Sequence, residues 1–404
     1  MNRKFIKTVF IYLLLSVSLF AKPYIILISF DGFRWDYLDR GLTPNLQKLI
    51  DDGVRAISLK PTYPSKTFPN HYSIVTGMYN ENHGIISNSF TNLKTGERFR
   101  IGDTSAVRNP EWYKGKAIWE TAKRQGVITA SYFWPGSELN AEKRRPNYFM
   151  KYEHEKPYKE RVDGVIDWLN LPNENRPKFI TLYFHDTDSY GHDFGTTSKE
   201  IDESISRLDS VTGYLLSKLE CLSIADSINL IIVSDHGMTD VSSERTIVLD
   251  EIVGGYDYYL QGDRAFGMIE PKDSNDIEEI YNKFKSGESN YKVYRKYEFP
   301  IYYHYNKNEL ITSIIIVADL GWSLIKKGNS NNNGYSISGG NHGYDNNFMD
   351  MHGIFIANGP EFKKNMKTGT LQNIDINPLL CKILNIEHEP DIDGKLENIE
   401  FILK

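Results

Sequence analysis

Three strand-like apolar runs in this chain are each followed by acidic or histidine side chains. The runs are Tyr24–Phe30, Phe179–Phe184 and Ile228–Val233, and the polar residues that follow them are Asp31, Asp188 with His192, and Asp235 with His236. Runs of Val, Ile and Leu without polar alternation are typical of buried parallel strands. Open parallel sheets bind ligands beyond the carboxyl ends of their strands. The sequence therefore predicts one polar site assembled from three distant segments at one edge of a sheet.

Helical patterns alternate with these runs. Thr43 stands at a possible N-cap, Pro44 at the first helical position and Gly53 at a stop, which is a common order of helix signals. Apolar residues recur at helical spacing over Pro157–Leu169 and Glu200–Leu219, next to the second and third runs. This alternation predicts an α/β fold in which helices cover both faces of a central, mostly parallel sheet.

The first residues have the layout of a signal peptide. A basic start precedes the apolar run Val9–Phe20 and the small residue Ala21, and the run is too short to span a membrane comfortably. We therefore expect residues 1–21 to be removed and the protein to be secreted or periplasmic, without a membrane span. Residues 22–404 are predicted to form one domain, with a small α+β lobe inserted over roughly 250–340.

The charge of the chain argues against a protein that coats nucleic acid. The formal net charge is -6, and it becomes about -9 when Arg3, Lys4 and Lys7 leave with the signal peptide. Nonspecific duplex binding needs clustered Lys and Arg. Bound divalent metal ions would nevertheless reverse the sign of the charge locally.

Two local features bear on structure rather than chemistry. Cys221 and Cys381 are too few for a disulfide scaffold, and the sequence leaves open whether they are free or form one bridge. Ser330–Gly334 is a cluster of turn formers and predicts a flexible loop.

The residues at the ends of the three runs are of the types that bind zinc. Zinc prefers His nitrogen and carboxylate oxygen, and two zinc ions about 4 Å apart can hold the attacking and leaving oxygens of a phosphoryl displacement. Between Asp188 and His192, Gly191 is expected to let the backbone turn so that both side chains face one ion. Gly237 is expected to make a tight turn after Asp235 and His236, and His342 lies between glycines in a third segment.

Each of these pieces also has an ordinary structural interpretation. Residues 188–192 can be a polar loop that leads into a helix, residues 235–237 a hydrogen-bonded turn, and His342 a surface-loop histidine. Their joint occurrence at successive strand ends is what favours a metal site.

Thr67 is a candidate nucleophile. It precedes a proline that can start a helix, and the N-terminus of a helix favours an anion. A threonine at this place can be an ordinary N-cap. Bound to a metal as an alkoxide, it would instead be a strong nucleophile at neutral pH.

Several motifs occur in order along the chain: Ile28–Phe33, Lys66–Tyr72, Thr76–Gly77, His83–Asn88, Trp134–Glu138, Asp188–His192, Ser234–Met238 and Gly340–Gly343. Together they resemble the motifs of the nucleotide pyrophosphatase/phosphodiesterase family of the alkaline phosphatase superfamily. The resemblance covers nearly all of residues 22–404. It implies an alkaline-phosphatase-like catalytic domain that hydrolyses nucleotide-type phosphodiester or phosphoanhydride bonds.

The resemblance also implies two zinc ions and assigns roles to individual residues. Those surrounding one zinc would be Asp31, Thr67, Asp235 and His236, and those holding the other would be Asp188, His192 and His342. Thr67 would be the nucleophile and would form a phosphothreonine intermediate. Asn88 would donate a hydrogen bond to a nonbridging phosphate oxygen, although it can also be read as a turn asparagine.

Three residues are expected to contact the substrate. Phe68 and Tyr152 match positions at which nucleotide-cleaving members stack a base, a task that suits aromatic faces, and the alternative for both is core packing. Lys114 could reach a base or a distal phosphate, or could be an ordinary exposed lysine. The chain departs from animal members at His185–Thr187, where they carry two acids and a proline, so the pocket beside Asp188 differs.

Other functions on this scaffold remain open. The rivals are a lipid or choline-head-group phosphodiesterase, a phosphomonoesterase and, outside enzymes, an inactive phosphate-binding module. A sulfatase is disfavoured because the Thr67 segment lacks the Cys or Ser followed by Pro and Arg that formylglycine formation needs. A small-molecule phosphodiester or nucleotide is the expected ligand in each enzymatic case. The sequence does not indicate the oligomeric state.

Overall fold

The computed structural model describes residues 23–327 and 337–404. The expected signal peptide and the loop Ser330–Gly334 lie outside the described residues. The α-helices are α1 Pro44–Asp51, α2 Thr67–Thr76, α3 Asn80–His83, α4 Thr104–Arg108, α5 Ile118–Arg124, α6 Tyr158–Leu169, α7 Asp186–Phe194, α8 Lys199–Leu219, α9 Leu249–Val253, α10 Ile277–Ser286 and α11 Ile376–Ile383. The strands are β1 Tyr24–Phe30, β2 Val54–Ala56, β3 Leu59–Lys60, β4 Ser89–Thr91, β5 Arg98–Arg100, β6 Thr129–Tyr132, β7 Tyr148–Met150, β8 Phe179–Phe184, β9 Ile228–Val233, β10 Thr239–Asp240, β11 Thr246–Val248, β12 Tyr258–Gly262, β13 Phe266–Pro271, β14 Tyr291–Arg295, β15 Ile314–Ala318, β16 Ser323–Ile325, β17 Gly340–Asn341, β18 Phe355–Asn358, β19 Met366–Thr368 and β20 Leu371–Gln372.

The three apolar runs form the middle of an eight-stranded sheet. Its strand order is β19-β2-β18-β9-β1-β8-β6-β7. β1 runs parallel to β8 on one side and to β9 on the other, so that Ile28 lies opposite Leu182 and Ile232. β18 is antiparallel to both of its neighbours, while the other pairings are parallel. The carboxyl ends of the three central strands therefore meet at one edge, as predicted.

Side chains of β1 alternate between two hydrophobic cores. Ile25 and Leu27 join the core that contains residues of α2, α5 and α11. Ile26 and Ile28 join the core that contains residues of α1, α6 and α8. Helices therefore cover both faces of the sheet. Burying one isoleucine contributes about 2 kcal/mol, which is why apolar residues are favoured on both faces of this strand.

A second, four-stranded antiparallel sheet lies beside the first. Its order is β12-β13-β15-β14, and its residues fall within the segment predicted to form an inserted lobe. Ile314 and Ile316 of β15 pack in one buried cluster with Ile280 and Phe284 of α10. The boundaries of a separate lobe stay a prediction.

Thr43 occupies the N-cap position of α1, as predicted, but the side chain that caps this helix comes from another helix. The Thr43 side chain makes no capping hydrogen bond. Instead, the buried carboxylate of Asp209 on α8 accepts hydrogen bonds from the backbone N–H groups of Asn45 and Leu46, each at 2.8–2.9 Å at its shortest. An acceptor from a packed neighbour thus satisfies the free N–H groups that a local cap would otherwise bind.

We expect Asp209→Ala to lower the free energy of unfolding by about 2 kcal/mol, because it leaves two buried N–H donors without partners. Asp209→Asn keeps one carbonyl acceptor and should lose about half as much. Urea denaturation of the three proteins measures both values. A loss below about 0.5 kcal/mol in Asp209→Ala, which is typical of surface substitutions, would show that the cross-helix cap does not stabilise the fold.

Two further findings concern the chain as a whole. Cys221 is exposed and Cys381 is buried, and both are free thiols, which settles the alternative left open by the sequence. Within residues 23–327 and 337–404, no helix combines the length and the apolar character that crossing a membrane requires.

Candidate metal and phosphate site

The sheet places the candidate ligands by bringing three chain segments together where its central strands end. Asp31 directly follows β1, and its backbone N–H donates to the carbonyl of Phe184 at the end of β8 (2.9 Å). Asp235 and His236 directly follow β9. Asp188 lies in the first turn of α7, which begins two residues after β8. The parallel register therefore converts sequence separations of more than forty residues into neighbouring side chains.

Asp188 and His192 lie on a helix, which corrects the expectation of a turn between them. One helical turn separates them, so their side chains share a face of α7. Gly191 has an ordinary helical backbone, and its small size matters for packing, because a Cβ there would lie 3.1 Å from the Met238 methyl group. Gly237 likewise lacks a left-handed backbone; a Cβ there would lie 2.1 Å from the carbonyl oxygen of Asp350. Close approach to backbone requires glycine at position 237, whereas a side chain at position 191 would need Met238 to shift by a few tenths of an ångström.

The first ligand cluster consists of Asp188, His192 and His342, whose candidate ligand atoms all lie within 4.8 Å of one another. Asp188 Oδ1 is 3.4 Å from His192 Nε2 and 3.7 Å from His342 Nε2. The Nδ1 atoms of the two histidines donate to backbone carbonyls, of Gly340 at 2.9 Å and of Ser65 at 2.7 Å. Because a carbonyl only accepts, each Nε2 carries its lone pair toward Asp188, the arrangement that orients metal-binding histidines.

The second cluster consists of Asp31, Asp235 and His236, beside Thr67. His236 Nδ1 donates to the Gly237 carbonyl (2.8 Å), which leaves Nε2 as an acceptor. This Nε2 is 3.1 Å from Asp235 Oδ2 and 3.4 Å from Asp31 Oδ1. Candidate ligand atoms of Asp188, Asp31 and His236 also lie within 4.8 Å of one another, so the two clusters adjoin.

Unpartnered carboxylate oxygens show that this donor set fits divalent metal ions. Asp31 Oδ1, Asp188 Oδ1 and Asp235 Oδ2 are each enclosed and have no hydrogen-bond partner. All three are the atoms that approach the histidine Nε2 lone pairs. Acceptors facing acceptors in a buried place are unfavourable, whereas a cation between them would satisfy every one. Carboxylate oxygen with imidazole nitrogen is the donor set that zinc accepts.

The pKa values of the acids reflect the same crowding. Burial, and next the neighbouring carboxylates, raise the pKa of Asp31 and of Asp235 well above the ordinary value. For Asp188, burial acts in the same direction, but His192 outweighs it and the pKa falls to about 2. Burial lowers the pKa of His236 to about 3 and holds that of His342 well below its ordinary value. The His236 and His342 imidazoles are thus in the neutral form that binds metal. For His192, burial lowers the pKa, but Asp188 outweighs it and the pKa is raised above its ordinary value.

Thr67 is the first residue of α2, and the interpretation of its side chain as an N-cap is wrong. Lys66 occupies the N-cap position, and its side chain makes no capping hydrogen bond. The Thr67 hydroxyl lies instead 3.2 Å from His236 Nε2. Since Nε2 is an acceptor, the hydroxyl donates its proton toward it. The Thr67 oxygen therefore points into the second cluster at the positive end of a helix.

Asn88 is held next to the start of α2. Its side-chain oxygen accepts a hydrogen bond from the Phe68 backbone N–H (2.9 Å), which assigns the two amide atoms. The Asn88 NH₂ group is consequently the end that remains for a ligand near Thr67.

A cavity of about 380 Å³ opens beside the two clusters. Thr67, Asp31 and Asp188 line one end, and Phe68 and Tyr152 are among the residues that line the rest. Phe68 packs edge-on against Phe99 with ring centroids 5.9 Å apart, so it combines core packing with a place in the cavity. Tyr152 is 47% exposed, which excludes core packing as its main role.

The structure does not bring Lys114 to this cavity. Lys114 lines a separate surface depression with Glu97 and Glu111, and its backbone N–H donates to the His83 carbonyl (2.8 Å). Lys114 is exposed, as the exposed-lysine interpretation predicts.

Four residues to which the sequence gave no individual role support the site. The Tyr183 hydroxyl donates to Asp31 Oδ2 (2.6 Å). His71 Nδ1 donates to the Thr67 carbonyl (2.9 Å), and the Ser29 hydroxyl donates to His71 Nε2 (2.8 Å). Although His71 lies among Asp31 and Asp235, both of its nitrogens are therefore engaged. Its position one helical turn after Thr67 was the available signal.

Lys66 is the fourth. Its side chain is 2% exposed, and its ammonium group contacts both the His342 carbonyl and the carboxylate of Asp263, which lies between β12 and β13. Together with the hydrogen bond from His342 Nδ1 to the Ser65 carbonyl (2.7 Å), this contact ties the segment before Thr67 to the loop that carries His342.

Comparison with known proteins gives concordant results. Residues 25–345 match the family model described as type I phosphodiesterase / nucleotide pyrophosphatase. The bis(5'-adenosyl)-triphosphatase of Xenopus laevis is 36% identical over 391 residues, which is 95% of this chain and 82% of that protein. Human ectonucleotide pyrophosphatase/phosphodiesterase family member 5 is 35% identical over 408 residues, covering 100% of this chain and 84% of the relative.

A solved structure is similar over almost the same extent. It is murine ectonucleotide pyrophosphatase/phosphodiesterase 5, an inactive threonine-to-alanine variant in complex with AMP. The TM-score is 0.88 at 32% identity, with 95% of this chain and 100% of that chain covered. This similarity confirms the predicted α/β fold with a large, mostly parallel central sheet.

Proposed function

Because this chain belongs to the type I phosphodiesterase/nucleotide pyrophosphatase family, we propose that it is an exported two-zinc phosphodiesterase. It would hydrolyse nucleotide-type phosphodiester or phosphoanhydride bonds through a phosphothreonine intermediate. The observation that carries the proposal is the Thr67 hydroxyl 3.2 Å from His236 Nε2, beside two adjoining clusters of candidate ligands. A nucleophile therefore lies next to the metal ions that would bind the phosphate oxygens, so that both could act on one substrate phosphorus.

Two sets of residues would hold the metal ions: Asp188, His192 and His342 for one, and Asp31, Thr67, Asp235 and His236 for the other. When bound, zinc would supply positive charge for the phosphate oxygens and would favour deprotonated oxygen nucleophiles. The three enclosed carboxylate oxygens without partners support this assignment.

The chain's own groups account for the remaining chemistry. Thr67 Oγ1 attacks phosphorus, a new phosphorus–oxygen bond forms, and the bond to the leaving oxygen breaks. The Thr67 hydroxyl, which donates a hydrogen bond to His236 Nε2 in this structure, would lose its proton to solvent water before attack. Asn88, oriented by the Phe68 N–H, presents its NH₂ group to a nonbridging oxygen. Water then cleaves the phosphothreonine, which releases the second product and restores Thr67.

A nucleotide is the substrate class that the surroundings favour. Phe68 and Tyr152 present aromatic faces along the cavity that begins at Thr67, and the murine relative was solved with AMP. Export is proposed from the basic start and short apolar run of residues 1–21.

We expect the zinc-loaded protein to hydrolyse bis(p-nitrophenyl) phosphate with a kcat/KM at least about tenfold above that for p-nitrophenyl phosphate. Among the described residues that line the cavity, Arg108 is the single Lys or Arg, and Glu138 Oε2 accepts from its Nη2 at 2.6 Å. The described lining of the cavity therefore has no unpaired Lys or Arg that could bind the second negative charge of a phosphate monoester. Steady-state kinetics on both esters measure the ratio, and equal or reversed values would favour a phosphomonoesterase.

Binding of phosphate with zinc present, but hydrolysis of neither ester, would instead indicate the inactive module.

A further inference from the structure

His185 forms part of the cavity wall through a stack of two histidine rings. It follows β8 directly and lines the cavity together with His154 and Tyr152. The His154 and His185 rings are stacked with centroids 3.8 Å apart and planes 25° apart. Tyr158 meets the His185 ring edge-on at 5.5 Å, and the Tyr152 hydroxyl and His154 Nδ1 form a hydrogen bond of 2.9 Å.

A buried arginine holds this wall in place. The Arg161 side chain donates to the backbone carbonyls of His154 at 2.8 Å and Tyr183 at 2.9 Å, so it joins the two segments that carry the stacked rings. A third bond, to the Lys156 carbonyl at 3.0 Å, fixes the rest of the loop. The His185 ring is consequently positioned before any ligand arrives, which reduces the entropy lost on binding.

Neither ring nitrogen of His185 has a hydrogen-bond partner in the described part of the chain, and Nδ1 is fully enclosed. Burial, His154 and Arg161 lower the pKa of His185 to about 3, so the ring is neutral and carries one proton. An enclosed N–H without a partner is rarer than an enclosed acceptor without one. The proton therefore belongs on Nε2, the nitrogen that is not enclosed.

We propose that His185 is a specificity-determining residue that donates a hydrogen bond from Nε2 to an uncharged acceptor on the nucleoside part of the substrate. This inference rests on the proposed function and narrows it. A nucleoside offers carbonyl, ring-nitrogen and hydroxyl acceptors beside Tyr152. A choline head group offers none, and its cation would meet the positive end of the N–H bond.

The charges in the cavity also favour a nucleoside over a choline head group. Glu138 is the one carboxylate along the described cavity wall that is not a candidate metal ligand. Its Oε2 accepts from Arg108, and its Oε1 accepts from the Tyr152 backbone N–H at 2.6 Å. Both of its oxygens are thus engaged, and no free carboxylate is left to bind a quaternary ammonium group.

The test compares three esters in the zinc-loaded protein: thymidine 5'-(p-nitrophenyl) phosphate, bis(p-nitrophenyl) phosphate and p-nitrophenyl phosphorylcholine. We expect His185→Phe, which keeps the stack but removes both nitrogens, to lower kcat/KM for the thymidine ester by about 5- to 10-fold. The value for bis(p-nitrophenyl) phosphate should change less than about twofold. His185→Gln restores an N–H donor and should recover most of the loss.

Tyr158→Phe is the matched control, because it keeps the edge contact with His185 and removes a hydroxyl that donates to Asp186 outside the cavity. Tyr158→Phe should leave the ratio of kcat/KM for the thymidine ester to kcat/KM for bis(p-nitrophenyl) phosphate unchanged. An equal loss on both esters in His185→Phe, or no loss on the thymidine ester, overturns the inference. So does a wild-type preference for the choline ester over the thymidine ester.

AMP affinity in the Thr67→Ala background provides a readout without turnover. Calorimetry should show about 5- to 10-fold weaker AMP binding when His185→Phe is added, and unchanged affinity would contradict the role of His185. If the wild-type protein cleaves no diester, the proposed function fails, while the AMP measurement still decides whether His185 contacts a nucleotide.

Discussion

Replacing Thr67 by alanine is expected to lower kcat/KM for phosphodiesters by on the order of 10³-fold or more, because it removes the atom that attacks phosphorus. The Asp188, His192 and His342 side chains do not contact Thr67 in the described hydrogen-bond network. Zinc at that cluster should therefore be retained. Steady-state kinetics with metal analysis of the same samples measure both effects.

Thr67→Ser is the matched control, since it keeps a hydroxyl at the start of α2 and should remain within about tenfold of the wild type. Acid quenching during turnover should trap phosphate on the peptide that contains Thr67, and mass spectrometry would detect it. Full activity in Thr67→Ala would eliminate Thr67 as the nucleophile. Loss of all zinc from that variant would show that its inactivity has a structural origin.

Removal of the metal ions is expected to produce the largest change in stability, and the change should grow with pH. In the metal-free protein, the pKa values of Asp31 and Asp235 are raised above those of the unfolded chain by burial and by neighbouring acids. Above the unfolded pKa, near 3.8, the unfolded state has already released protons that the folded state still holds. The contribution of each such carboxyl to the free energy of unfolding therefore falls as the pH rises, by up to about 1.4 kcal/mol per pH unit, until the pH passes its folded pKa.

Zinc should reverse this trend, because it binds the deprotonated carboxylates and replaces their mutual repulsion by attraction. Urea denaturation between about pH 5 and 8 should show that the difference in free energy of unfolding between zinc-loaded and metal-free protein widens with pH. Asp235→Asn should flatten the metal-free curve and narrow the gap. The exposed residue Asp193 is a suitable control, and Asp193→Asn should follow the wild type. Parallel curves with and without zinc would contradict a metal site at these carboxylates.

The sequence predicts the positions of candidate ligands that directly follow a recognisable strand or helix pattern. Asp31, Asp188 and Asp235 each follow an uninterrupted apolar run, and parallel pairing of three such runs has to bring their ends together. Helix bounds followed for the same reason: the predicted Glu200–Leu219 differs from α8 by one residue. The place of His342 depended on the family resemblance, because no strand pattern precedes it.

What the sequence missed depends on contacts between distant segments. The Asp209 carboxylate, and not the Thr43 hydroxyl, accepts from the first N–H groups of α1, because packing sets the two helices side by side. Tyr183 reads as one more apolar strand residue, and only the three-dimensional arrangement shows its hydroxyl on Asp31. Gly191 serves packing against Met238, which a glycine in a polar motif does not reveal. Local propensity cannot encode these relations.

The contact between Lys66 and Asp263 has an evolutionary consequence. It joins the residue next to Thr67 to the connection between β12 and β13, so this connection of the smaller sheet helps to hold the segment before Thr67. A lengthened or shortened connection at this point would withdraw the counterion from a buried ammonium group, which is costly. Variation among homologues should therefore accumulate in the other connections of that sheet, while the length of this one changes together with the residue at position 66.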